Sequence, residues 1–137
     1  MRNVFAVIVG LVIGMVANMA LIMLNAVFYP MPEGMDMNDY EQLNAHIATL
    51  PTLAFILPLL AHLSQAFVGG WFAARLGKSR PIRLAMIVGV LSLVGGGANF
   101  YLLPDAPKWM MIELPLYLVL AFVAGRMVAS CRAKAAS

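Results

Sequence analysis

The sequence predicts an all-α integral membrane protein, an antiparallel bundle of four transmembrane helices. Three observations predict it. Of 137 residues, 63% are hydrophobic and only 11% charged, where soluble domains carry about a quarter charged residues. Four apolar runs, at about 4–29, 50–76, 80–103 and 106–130, each reach the roughly 20 residues that cross a bilayer as a helix. Basic and acidic residues also separate to opposite ends of those runs. A single transmembrane domain over residues 1–137 results, with one sizeable connection, an acidic loop at 30–49.

Span one follows Met1-Arg2-Asn3, a start shared with signal peptides. Its apolar run is far longer than a signal h-region and ends without a small-x-small cleavage site, so it is expected to stay as a span. In the loop, Asn38-Asp39-Tyr40-Glu41 has the form of a capping box, with Asn38 as N-cap and Glu41 at N3. Tyr40, Leu43 and Ile47 then share one helical face, which predicts a short amphipathic helix on the membrane surface. Spans two, three and four open on one pattern: Thr49-Leu50-Pro51, Ser79-Arg80-Pro81 and Asp105-Ala106-Pro107. Each supplies a capping side chain, then a proline in the first turn, where its missing N–H costs nothing. Arg75 and Gly77 mark the end of span two. Pro58 and Pro115 lie further inside and are expected to kink spans two and four.

Charge sets the orientation. Arg2, Arg75, Lys78, Arg80, Arg83, Arg126, Arg132 and Lys134, eight of the nine basic residues, fall at one end of the spans. All six acidic residues, Glu33, Asp36, Asp39, Glu41, Asp105 and Glu113, fall at the other, with Lys108. The positive-inside rule makes the basic end cytoplasmic, so both termini lie inside and the acidic loop outside, as in a bacterial inner membrane. The net charge of +3 then reflects topology and contact with anionic lipid, not nucleic-acid binding.

A two-span unit recurs faintly. Asn25 and Asn99 each lie five residues before a proline, Pro30 and Pro104, and Ala66-Phe67-Val68-Gly69-Gly70 resembles Ala121-Phe122-Val123-Ala124-Gly125. Such copies would be parallel, related by an axis along the membrane normal. Small residues recur at helical spacing: Gly10 and Gly14; Ala66, Gly70 and Ala74; Ala121, Gly125 and Ala129. These faces let helix backbones approach closely, within one chain or, as a second reading, between copies. Gly95-Gly96-Gly97 predicts a loosened helix or a close approach by another group.

The polar residues inside the spans are Asn18, Asn25, His62, Ser64, Gln65 and Asn99. In hydrocarbon they must turn inward and find partners. Interhelical hydrogen bonding satisfies them most simply. The alternative is an outward-facing polar pocket formed by Asn25, Asn99, His62 and Gln65, with Glu113 on its rim. No span carries a central carboxylate or a lysine, which argues against a proton- or cation-coupled transporter. The two histidines, His46 and His62, and the lone Cys131 give no zinc or haem set. The acidic loop lacks the spacing of a calcium loop. Met31, Met35, Met37, Met110 and Met111 have thioethers suited to Cu(I), but methionine is also an ordinary apolar filler, the reading adopted here. No nucleophile–base set or phosphate loop is present.

No catalytic residue, metal or cofactor is therefore predicted. The first expectation is a non-catalytic membrane component, an accessory subunit or self-associating protein with the outer loop as partner surface. Its partners would be membrane lipids and either further copies or a larger membrane complex. The alternative is a small carrier or lipophilic-ligand binder using the polar pocket. A membrane enzyme acting through His62 or His46 is third.

Overall fold

Helices dominate because apolar, helix-forming stretches are broken only at proline and at polar turns. A computed structural model describes every residue except Met37 and Ser137, with Ala136 described in its backbone alone; the expectation for Met37 at the methionine rim lies outside the described residues. Helix α1 covers Arg2–Phe28 and α2 covers Tyr40–Thr49. A 3₁₀ turn at Thr52–Phe55 leads into α3, Ile56–Leu76. Helix α4 spans Pro81–Leu102, and a second 3₁₀ turn at Lys108–Ile112 leads into α5, Glu113–Ala136. Four segments are long and apolar enough to cross a membrane: Arg2–Phe28, Thr52–Leu76, Pro81–Leu102 and Lys108–Ala135.

The helix starts depart from the expected caps. Asp39, not Asn38, is the N-cap of α2, accepting from the backbone N–H of Glu41 and Gln42 at 3.0 and 3.2 Å. Asn38 instead donates through its own N–H and Nδ2 to Asp36 Oδ1. The backbone N–H of Gln42, then its side chain, then the N–H of Glu41, hold the Asp39 carboxyl below the usual carboxylate range by favouring its charged form. None of the other three expected capping side chains caps a span. Thr49 Oγ1 donates to His46 O, Ser79 Oγ accepts from Asn3 Nδ2, and Asp105 uses its own N–H on Asn44 Oδ1. Spans two and four begin as 3₁₀ turns instead, with Ala54 N–H on Pro51 O at 2.9 Å and Met110 N–H on Pro107 O at 3.0 Å. The tighter turns bring Pro58 and Pro115 to the third residue of α3 and α5, where a proline removes no α-helical hydrogen bond.

Helices α1 and α4 end alike. Tyr29 N–H bonds Asn25 O with φ −131° and ψ 76°; Leu103 N–H bonds Asn99 O with φ −121° and ψ 67°. The proline that follows each restricts the preceding backbone away from α. The two halves of the chain thus share local structure at corresponding points.

At the opposite end, the turn between α3 and α4 is held by two other helices, α5 and α1. Arg132 of α5 donates to the carbonyls of Ala74, Arg75 and Gly77 at 2.8, 3.1 and 2.7 Å. Arg2 Nε donates to Leu76 O, and Asn3 Oδ1 accepts from Lys78 N–H. Two cations thereby collect carbonyls that α3 leaves free at its negative end. Gly77 is the C-cap of α3 and is extended, at φ −65° and ψ 151°. A Cβ there would press on Leu84 Cδ1, so a larger residue would have to move that side chain.

Helix α3 is central, touching α1, α4 and α5. Gly10 packs on Gly69 and Ala73, and Gly14 on Gln65 and Gly69, so α1 runs antiparallel to α3. Gly69 meets Val88 and Gly70 meets Ala85 on α4, while Ala121 of α5 lies against both Gly70 and Gly89. The interior is built of small residues: Ala6, Ala61, Ala66, Ala73, Ala74, Ala85, Ala121 and Ala124 are buried. On α1, Phe5, Ile8, Val12, Met15, Met19 and Met23 are exposed, as a lipid-facing surface requires, while Val7 and Leu11 pack inward. Gly10, Gly14, Gly70 and Gly125 are therefore occupied within the chain, whereas Gly95 and Gly97 border open space.

These contacts make opposite predictions for two glycines. A Cβ on Gly10 would lie 2.5 Å from Gly69 O, so Gly10→Leu should cost about 1–3 kcal/mol. Gly95→Ala should be neutral or stabilise by up to about 1 kcal/mol. Unfolding by sodium dodecyl sulfate of protein purified in mild detergent measures both.

Candidate functional site

At the end opposite that turn, the helices enclose a cavity of about 260 Å³. Helix α1 supplies Ile22, Asn25 and Tyr29; α3 supplies Pro58 and His62; α4 supplies Asn99 and Phe100; the last 3₁₀ turn and α5 supply Met110 and Glu113. One face of α2, Leu43, His46 and Ile47, completes the wall. Asn44 fixes that helix by donating to Leu102 O at 3.0 Å. Beneath it, Phe55, Ala54 and Met110 form a buried apolar cluster with Tyr29, Leu50 and Phe100 against it.

The polar centre is a buried carboxyl. Glu113 is 1% exposed and is the largest fully buried side chain. Its Oε2 lies 2.9 Å from His62 Nδ1, and its Oε1 accepts from Tyr117 OH at 3.0 Å. An unpaired carboxylate in such surroundings would be prohibitively costly; hydrogen bonds at both oxygens remove most of that cost. Tyr117 reaches Glu113 because Gly96 faces its ring, where a Cβ would lie 2.6 Å from the ring edge. With Nδ1 directed at Glu113, Nε2 is the ring nitrogen left for the cavity, and none of the described hydrogen bonds uses it. Asn25 Oδ1 is also buried with no hydrogen-bond partner. Among the described residues, no three of His, Cys, Asp and Glu are placed to hold a metal ion.

Asn25, Asn99, His62 and Glu113 line this one cavity. Gln65 does not; its Oε1 accepts from Asn18 Nδ2 at 2.9 Å, joining α3 to α1. Glu113 was expected on the rim but is buried beneath it, because the span begins with the 3₁₀ turn at Lys108 and carries residue 113 inward. Tyr117 was missed, and His46 had been considered only for a membrane enzyme, not for the pocket. His46 shares a face with Leu43 and Ile47, and Tyr117 follows Glu113 at i+4; both spacings were available in the sequence. Comparison with protein-family models, curated proteins and solved structures finds no match.

Removing half of a buried pair costs more than replacing the whole of it. Glu113→Ala should destabilise the fold by about 3–5 kcal/mol, whereas the double change His62→Phe with Glu113→Leu should recover most of that loss. The same detergent unfolding assay, run as a double-mutant cycle, gives both values.

Proposed function

We propose that this protein binds a neutral lipophile with a hydroxyl-bearing headgroup in the cavity under α2, as a small membrane carrier or ligand-binding protein. The observation that carries this reading is the convergence on one apolar cavity of a buried acceptor without a partner, Asn25 Oδ1, and of His62, whose Nε2 none of the described hydrogen bonds uses. The amide oxygen calls for a ligand that donates, and a hydroxyl can meet the imidazole nitrogen as donor or acceptor. No lysine or arginine lines the cavity, which disfavours phosphate and carboxylate heads. Glu113 is already engaged by His62 and Tyr117, so an ammonium would be desolvated without a free counter-charge. A hydroxyl fits both constraints. The volume lies just below the range of about 300–1,000 Å³ for complete ligand pockets, which suits a headgroup seated inside with an apolar tail continuing into lipid. The accessory-subunit reading has the acidic loop as its sole support, and the glycine faces that suggested self-association are occupied within the chain.

The ligand reading is tested with decylhydroquinone and its dimethyl ether, which keeps the shape and loses both donors. At a hundred times its dissociation constant, the hydroquinone should stabilise the protein by about 2.7 kcal/mol. The ether should have little effect, and Asn25→Leu or His62→Phe should reduce the hydroquinone response. Equal stabilisation by both compounds would remove the donor argument. Response to neither, with no lipophile co-purifying, would remove the ligand reading.

In this proposal the turn end is cytoplasmic and the cavity opens toward the exterior, in a bacterial inner membrane. Support comes from Arg2, Arg132 and the arginines around the α3–α4 turn meeting at one end, with the carboxylates at the other. In a Cys131→Ser background, Asp105→Cys should react in intact cells with an impermeant thiol reagent, and Lys78→Cys should not. Labelling at position 78 would reverse the orientation.

A further inference from the structure

A second site lies at the turn end, independent of the cavity. Here an open groove of about 640 Å³ runs along α4, lined by Arg80, Arg83, Ile87, Val90 and Leu91, with Asn3 of α1 at its edge. We infer that this groove holds one anionic phospholipid, its phosphate between Arg80 and Arg83 and an acyl chain along α4.

Charge points to the headgroup. Neither guanidinium takes part in a described hydrogen bond or ion pair, in contrast to Arg2 and Arg132, which are directed at backbone carbonyls. The acidic residues all lie in the outer loop or at the far end of the spans, so no carboxylate competes. The first turn of α4 adds the positive end of a helix dipole beside the same two arginines.

Spacing points to the chain. Arg83, Ile87, Val90 and Val94 fall on one face of α4, at intervals of four, three and four residues. Ile87, Val90, Leu91 and Val94 are each about half exposed or more. From residue 83 to residue 94 the helix rises about 16 Å, close to the half-thickness of about 15 Å of a bilayer's hydrocarbon core. A cationic site followed by one leaflet's length of exposed apolar surface is the shape of a phospholipid. Inorganic phosphate would use none of the second part.

The backbone supplies an independent reason to look at Arg80. Its φ of 52° is the only positive value at a non-glycine position among the described residues. Glycine adopts that conformation without steric cost, and L-residues avoid it. An arginine held in a glycine's conformation points to a use for its side chain, and none of the described hydrogen bonds or ion pairs engages it.

Arg80→Gly is therefore an informative variant, because it relieves the backbone while deleting the guanidinium. The full chain is reconstituted with equal phosphatidylglycerol and phosphatidylcholine of identical acyl chains, and retained lipid is read by native mass spectrometry. Wild type should retain phosphatidylglycerol preferentially. Arg80→Gly and Arg83→Gln should each weaken that preference by roughly fivefold, while Arg80→Gly unfolds no more readily than wild type. Equal retention of the two lipids by wild type, or undiminished preference in both variants, overturns the inference. So does displacement of the lipid by inorganic phosphate at matched concentration, which would mark a free-anion site. Neither result bears on the cavity under α2.

Discussion

The contact between His62 and Glu113 constrains the rest of the loop end. A carboxyl that is 1% exposed must have both oxygens satisfied where water is scarce. Satisfying it fixes α3 against α5 through His62, requires Tyr117 one turn further along, and requires Gly96 to leave room for the tyrosine ring. A change in any of these four residues alters the environment of the others. The same arrangement fixes the imidazole, since the nitrogen that meets Glu113 determines which one remains for the cavity. A structural need and the polar lining of the cavity thus arise from a single hydrogen-bonded set.

Elsewhere the helices are joined by close packing of small side chains. Between apolar helices in lipid the hydrophobic effect offers little drive, so dispersion at short range and a few hydrogen bonds must supply the association. Glycine and alanine permit it by letting Gly10 meet Gly69 and Ala121 meet Gly89 at backbone distance. The polar contacts lie at the two ends and at one intermediate bond, Asn18 to Gln65. The turn end is closed by cations on carbonyls, and the loop end by a buried acid and the helix α2. The cation-closed turn and the cavity with its buried acid thereby occupy opposite ends of the same four helices.

Much of this was legible in the sequence, for identifiable reasons. The four spans were readable because apolar length is a local property, and four helices long and apolar enough to cross a membrane are observed, the last continuing to Ala135. Asn25 and Asn99 drew attention through their common distance from a proline, and that distance corresponds to a shared way of ending a helix. The caps were misread because helix ends take their partners from distant sequence: Arg132 and Arg2 serve α3, and Asn3 engages Ser79. Gln65 was misplaced for a geometric reason. Three residues from His62, it lies about 60° around the helix; on a central helix that angle separates a neighbour in α1 from a neighbour in α5. Glu113 was placed too near the surface because hydropathy does not reveal that a span opens with a 3₁₀ turn.

The central claim is that His62 presents Nε2 to a ligand while Nδ1 is committed to Glu113. Nitrogen-15 spectroscopy of labelled histidine in bilayers tests it most directly, because His46 lines the same cavity without a carboxyl partner and serves as an internal reference. Before any ligand is added, the His62 Nδ1 resonance should report a proton held toward Glu113, and Glu113→Leu should abolish that signature. On addition of a hydroxyl-headed lipophile, Nε2 of His62 should shift while its Nδ1 changes little. A bound lipophile that leaves Nε2 of His62 unmoved, or that perturbs His46 alone, would contradict the account.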